Sequence, residues 1–301
     1  MNLFDRLVVA TMPFVPKPMV RHFADPYIAG ETLQHAIDQV KQLNQEGAMA
    51  TIDVLGEAVT SMTEANRAAD SYLPVIEAIE REKLDANISI KPTMLGLGLD
   101  YKGCVANFTR VIDALRPYNN FLRVDMEDSP YTSLTLDLVD ELRKLYPNIG
   151  LVLQAYMRRS MNDLKDRVIP EKINIRLCKG IYVEPARVAY KDFDVVRKNY
   201  TALLKTALSN GVYVGIATHD EMLVWEAFNM IDELGLKPDQ YEFQMLLGVT
   251  PELRRTIIRE GHRMRVYVPF GEDWYAYSSR RLKENPKVAG YVMKDILKFK
   301  R

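Results

Sequence analysis

Short β-branched runs alternate with amphipathic stretches along the chain. The runs are Ala50–Leu55, Asn87–Lys91, Phe121–Asp125, Gly150–Ala155, Ile173–Cys178, Val212–Thr218, Tyr241–Leu246 and Arg265–Phe270. Their length and β-branched content predict buried strands. Between them lie Glu64–Arg81, Val105–Arg116, Thr135–Leu145, Val195–Asn210, Glu221–Leu234 and Pro251–Gly261. In these segments apolar residues recur at three- and four-residue spacing with charges between, which predicts helices. Pro147, Pro170, Gly235 and Pro238 punctuate helix ends and loops.

Strand–helix alternation of this kind implies parallel pairing through right-handed crossovers. Eight such strands close into a cylinder with no free edge. The expectation is therefore an α/β fold, a (βα)8 TIM-type barrel, with residues 1–301 forming one domain. Residues 1–46 precede the first run and are expected to form an N-terminal helical arm. A doubly wound open sheet is the alternative, but the count of eight and the even spacing favour closure. No break in composition marks a second domain.

In a barrel the active-site groups come from the C-terminal ends of the strands, and here those ends are polar. The second run ends in Lys91, the third in Asp125 followed by Met126 and Glu127, and the fourth near Gln154. The fifth contains Arg176 and leads into Lys179 and Gly180. The sixth ends in Thr218, His219 and Asp220, the seventh contains Glu242 and Gln244, and the eighth contains Tyr267. A single polar residue at a strand end is commonly a solvated loop residue or a helix cap. The group is harder to dismiss, because Lys91, Asp125 and Arg176 adjoin β-branched neighbours, and buried charges must be paired. Converging groups of both signs satisfy one another and bind a polar ligand.

Composition narrows the function. Forty acidic and forty basic side chains cancel, which removes the global basic excess of a nucleic-acid binder. The two cysteines, Cys104 and Cys178, form no CxxC pair and are expected to be reduced, buried thiols. The four histidines show no HxH or HExxH spacing, so no metal site is expected. Gly96 and Gly98 in MLGLGLD lack the third glycine of a dinucleotide fingerprint and are expected to lie in a flexible loop. No apolar run approaches the roughly twenty residues that span a bilayer. The opening MNLFDRLVVATMPFVPKPMVRHF lacks a basic start and is interrupted by prolines, so it is expected to pack on the body rather than act as a signal peptide. After the eighth run, GEDWYAYSSRRLKENP sets Trp274, Tyr275 and Tyr277 before Arg280, Arg281 and Glu284. Taken alone this is a self-paired surface helix. With the aromatics, the guanidinium pair also suits a small amphipathic carboxylate.

The chain resembles the proline dehydrogenase family, above all its short monofunctional bacterial members. The resemblance rests on SIKPT, RVDMED, QAY, RLCKGIY, ATHD, EFQMLLG, RVYVPFG and WYAYSSRRLKENP, which occur in this order over nearly the whole barrel. It implies noncovalently held FAD at the strand ends, oxidation of L-proline to Δ1-pyrroline-5-carboxylate, and a final helix over the barrel mouth. By motif, Lys91 is expected near the substrate and able to pair with Glu284. Asp125 is expected in the catalytic site, with Met126 lining the flavin. Gln154 is expected to hydrogen-bond the isoalloxazine and Arg176 to approach its reactive nitrogen. Lys179, Gly180, Ile181, Thr218 and His219 are expected to contact the FAD. Tyr267 is expected to pack on the substrate, Tyr277 to belong to its binding site, and Arg280 and Arg281 to clamp its carboxylate. Cys178 replaces a residue that is often valine in relatives, and Ala276 one that is often proline; neither change removes a functional group. No counterpart of the gating acidic residue of some relatives is assigned. The resemblance further implies a quinone acceptor, transient contact with a membrane surface, a cytoplasmic location at its inner face, and a pyrroline-5-carboxylate dehydrogenase as consumer of the product. Two rival readings are a lyase or aldolase with Lys91 or Lys179 as Schiff base, and a non-catalytic metabolite-binding barrel.

Overall fold

The computed structural model describes residues 21, 25–56 and 58–275. Eight parallel strands close into a barrel in chain order, β1 pairing with β8. They are β1 (Met49–Val54), β2 (Ala86–Ile90), β3 (Leu122–Val124), β4 (Ile149–Gln154), β5 (Ile175–Cys178), β6 (Val214–Ala217), β7 (Tyr241–Leu246) and β8 (Met264–Phe270). Each predicted run thus contains a strand, displaced by no more than a few residues at its ends, where fraying blurs any boundary.

The helices form an outer layer: α1 (Leu33–Gln45), α2 (Met62–Arg81), α3 (Tyr101–Leu115), α4 (Ser129–Leu145), the broken helix α5 (160–171), α6 (Phe193–Ser209), α7 (Glu221–Glu233) and α8 (Pro251–Arg259). Several start where a side-chain oxygen receives an otherwise unpaired backbone N–H. Thr32 caps α1, Ser61 caps α2, and Asp192 accepts from the N–H groups of Asp194 and Val195 on α6. Of the expected arm, residues 1–46, the structure describes Arg21 and residues 25–46, which hold a 3-10 turn at Asp25–Tyr27 and helix α1. The helix is a component of the ring rather than an appendage, burying Ala36, Ile37, Val40 and Leu43 where it packs on β1 and β8. The chain before α1 also meets the end of β8: Ala29 N–H donates to Pro269 O at 2.9 Å and Gly271 N–H to Gly30 O at 3.0 Å.

The pleat divides each strand between two environments. One set of side chains, including Ile52, Ile88, Val124, Leu153, Leu177, Ile216, Phe243 and Val268, faces the helices in one large apolar core. The alternating set lines the interior of the barrel. In most barrels that interior is filled by branched apolar side chains. Here it holds Thr51 bonded to Asn87, Arg123 bonded to Asn174, Glu242 bonded to Arg265, and the charged groups described below.

Two expectations are corrected. Gly96 is not a loose loop residue: Pro92–Leu95 is a 3-10 turn closed by Gly96 in the left-handed region, with Leu95 and Leu97 buried, while Gly98 lies in the exposed turn that follows. Cys104 is buried as expected, but Cys178 is only partly so, because it ends β5 on the side that faces the mouth; both are free thiols.

Gly150 shows how tightly the interior is filled. A Cβ there would lie 2.4 Å from Asn174 O and 2.5 Å from Arg123 Nη1. Overpacking against backbone is relieved only by strand movement. Gly150→Ala is expected to lower unfolding stability by about 1–3 kcal/mol, read as a lower urea midpoint at unchanged denaturant dependence.

Candidate active site

The strands deliver their polar residues to the C-terminal rim as connected pairs. On β1, Asp53 is fully buried and accepts two hydrogen bonds from Lys91 Nζ, at 2.9 and 3.1 Å. Burial alone would lower the pKa of Lys91, but the charges of Asp53 and Asp125 and the bonds to Asp53 raise it above the ordinary lysine value. Lys91 is therefore a fixed ammonium.

Next to this pair, Asp125 Oδ1 accepts from Ser89 Oγ and from Arg176 Nη1, both at 2.7 Å, while Oδ2 accepts from the Tyr267 hydroxyl at 3.3 Å. The Arg176 guanidinium also lies 5.2 Å over the Tyr267 ring. Its Nε donates to Gln244 Oε1 at 2.6 Å, and Gln244 Nε2 donates to Glu242 Oε1 at 2.6 Å. The series ends below at Arg265, whose Nε donates to Glu242 at 2.8 Å. Burial pushes the Glu242 carboxyl up, but the charge and hydrogen bonds of Arg265 and the bond from Gln244 bring it down to about 2.

A second group sits at the ends of β5 and β6. Asp220 accepts from Lys179 Nζ at 2.6 Å and from Arg197 at 2.7 and 2.9 Å. Both cations also stack on Phe193, at 4.5 and 4.3 Å. His219 Nε2 accepts the Leu246 N–H at 2.9 Å, which places the ring proton on Nδ1. Thr218 Oγ1 accepts from Asp220 N–H. Gly180 is left-handed (φ 102°) and a Cβ there would lie 2.1 Å from the Tyr156 ring. The Glu184 carboxylate ties the same loop to the start of α4, bonding Ser129 N–H at 2.6 Å and Ser129 Oγ at 2.7 Å.

Asp125, Arg176 and Tyr267 thus form one bonded cluster with the Lys91–Asp53 pair next to it, and Met126 and Gln154 adjoin it, with Gln154 Nε2 donating to Met126 O at 3.3 Å. Lys179, Gly180, Thr218 and His219 lie beside it, and Ile181 is half-exposed. Tyr277, Arg280, Arg281 and Glu284, and with them the expected final helix, lie outside the described residues. Lys91 takes its carboxylate from Asp53, which the sequence reading did not single out; the available signal was an acidic residue at an alternate position inside ATIDVL. Arg197 and Arg265 were missed as well. Among the described residues no cluster of metal-ligating side chains occurs, and no helix is long and apolar enough to cross a membrane.

The depressed pKa of Glu242 makes stability depend on pH. In the unfolded chain the carboxyl titrates near 4.5, so as pH falls the unfolded state binds the proton first. The contribution is present above pH 4.5 and lost as pH drops toward 2, amounting to about 3 kcal/mol. The stability advantage of wild type over Glu242→Gln is expected to shrink by that amount between pH 5 and pH 2, measured by urea unfolding at each pH.

Comparison with known proteins agrees with this architecture. The family model described as proline dehydrogenase matches residues 36–294. Proline dehydrogenase 1 of Bacillus subtilis subsp. natto is 37% identical over 272 residues, 90% of each chain. Proline dehydrogenase of Deinococcus radiodurans is 36% identical over 302 residues, 97% of this chain and 96% of that one. The bifunctional protein PutA of Salmonella typhimurium is 27% identical over 318 residues, 91% of this chain but 24% of that protein. Among solved structures, proline utilization A from Bdellovibrio bacteriovorus, inactivated by N-propargylglycine, has the same fold. Its TM-score is 0.85 at 24% identity, covering 95% of this chain and 37% of that one. The match begins inside α1 and runs past β8, taking in every strand that carries a rim residue: the chain belongs to the proline dehydrogenase family.

Proposed function

We propose that the dehydrogenation of proline performed by this family is, in this chain, oxidation of L-proline to Δ1-pyrroline-5-carboxylate with noncovalently held FAD, the electrons passing on to a quinone. The observation that carries the flavin reading is a buried orphan. Gln154 Oε1 is shielded from solvent and, among the described residues, has no hydrogen-bond partner, although a buried acceptor normally has one. It stands at the end of β4 beside Cys178, two residues beyond Arg176 on β5. A ring N–H of an isoalloxazine is a donor of the kind it lacks. The cations Lys179 and Arg197 suit the negative charge of a dinucleotide, and Gly180, packed on Tyr156, holds the loop that carries Lys179. The residues present therefore fit the group.

When bound, the flavin supplies the two-electron acceptor. The protein supplies binding, orientation and charge. Arg280 and Arg281 are assigned the substrate carboxylate, a bidentate contact that fixes the ring. Tyr277 is assigned to the same binding site and Tyr267 to the face of the ring. The Arg176 guanidinium is assigned to stabilise negative charge that develops on reduction. Lys91, already an ammonium, orients substrate but cannot take its proton, so removal of the substrate ammonium proton falls to Asp125 or to water. Met126, Gln154, Lys179, Gly180, Ile181, Thr218 and His219 are assigned to the cofactor, and Glu284 to Lys91. Within a cell the enzyme is assigned to the cytoplasm, meeting the inner membrane face to deliver electrons and passing product to a pyrroline-5-carboxylate dehydrogenase.

The Schiff-base reading requires a neutral lysine nucleophile. Lys91 is held charged and Lys179 is paired with Asp220, which disfavours it.

The purified protein is expected to be yellow and to bleach anaerobically on addition of L-proline; colourless protein, or colour indifferent to proline, overturns the proposal. Arg281→Met is expected to raise the Michaelis constant for proline at least about tenfold, as loss of a charged hydrogen bond does, with FAD retained. Arg176→Ala is expected to slow flavin reduction in stopped flow by about 100-fold or more.

A further inference from the structure

Arg176 is the cation on which the proposed chemistry leans; it lies over the Tyr267 ring, its Nη1 also reaches Ser89 Oγ at 3.4 Å, and two strong bonds grip its two ends. Asp125 takes Nη1, and Gln244 takes Nε. The second grip spans three strands, because Gln244 is on β7 and Arg176 on β5, with β6 between them.

The register explains how the side chain crosses. Arg176, Gly215 and Glu242 lie in one row of the sheet, and Gln244 is paired with Ala217 in the next row toward the rim. Gln244 lies down over Gly215. A Cβ on Gly215 would sit 2.4 Å from Gln244 Nε2 and 2.8 Å from its Cδ, so a glycine at this position opens the path.

The partners also decide which way the amide points. A guanidinium only donates, so the group facing Arg176 is the amide oxygen. An ionised carboxylate only accepts, so the group facing Glu242 is the amide nitrogen. Glu242 is kept ionised by Arg265. Reversing the amide would break both bonds, so Gln244 has one orientation, set from below by Glu242 and presented to Arg176 above.

We propose that Gln244, seated over Gly215 and oriented by Glu242, is a positioning residue for the reaction, fixing the Arg176 guanidinium by its Nε while Asp125 fixes its Nη1. The proposal rests on the flavin reading. Without Gln244 the guanidinium keeps its Nη1 contacts to Asp125 and Ser89 and its place over Tyr267 but loses the one bond that fixes Nε, so it can turn about the Nη1 end. A displaced charge stabilises a developing anion poorly, and misplacement by about 1 Å can cost about 100-fold.

The test is a double-mutant cycle on the holoenzyme. Gln244→Met removes the acceptor at similar volume, and Gly215→Ala displaces the amide without altering a polar group. Each is expected to slow proline-driven flavin reduction by about 10- to 100-fold and to move the flavin midpoint potential to more negative values, with FAD content unchanged. In an Arg176→Met background, Gln244→Met is expected to have no further effect on rate or potential, because its influence passes through Arg176. A merely structural role predicts the same additional loss in both backgrounds, and that result overturns the proposal. So does an unchanged rate and potential in soluble, yellow Gln244→Met. Where Gln244→Met does not fold, Gly215→Ala with and without Arg176→Met gives the same comparison. Colourless wild-type protein overturns the flavin reading and this proposal together, whereas yellow, proline-bleached wild type with indifferent variants overturns this proposal alone.

Discussion

The structure depends on neutralising charge inside a closed cylinder. Moving an ion out of water costs several kcal/mol unless partners replace the lost solvation. The interior network contains the cations Lys91, Arg123, Arg176 and Arg265 and the carboxylates Asp53, Asp125 and Glu242. Asp53 answers Lys91, Asp125 answers Arg176, and Glu242 answers Arg265. Arg123 is satisfied by dipoles, donating to the carbonyls of Leu151 and Asn174. Every ion is thereby tied to a strand other than its own, which makes the network a set of cross-braces as well as a charge balance. Within this set the cations outnumber the carboxylates by one.

This arrangement separates the barrel into two levels with different duties. The lower level, around Glu242, Arg265 and Arg123, is closed by its own contacts. The upper level includes Gln154, whose Oε1 has no hydrogen-bond partner among the described residues. Gln244 connects the levels, since one end of its amide answers the lower anion and the other the upper cation. The upper groups thus stand on a base closed by its own contacts.

Much of the fold was legible in the sequence because period-2 and period-3.6 patterns report local burial, and all eight runs became strands of a closed barrel. Lys91, Asp125 and Arg176 stood out because a charge among β-branched neighbours demands a partner. Which partner was not legible. Asp53 and Lys91 are 38 residues apart, Arg176 and Asp125 are 51 apart, and Arg176 and Gln244 are 68 apart. A linear pattern carries no information about which rows meet across the interior. Asp53 passed unnoticed because β1 is buried on both faces, so its run reads as continuous core. The MLGLGLD segment misled for the opposite reason: its glycines suggested flexibility, whereas Gly96 supplies the left-handed residue that closes a buried 3-10 turn.

The contacts of residues 29–30 with residues 269–271 carry a wider meaning. Residues ahead of the first strand are thereby stitched to the end of the last one. The place where the cylinder closes, β8 against β1, is also flanked by α1, which packs on both of these strands. A closure held by strand pairing and by its flank together resists local opening better than pairing alone.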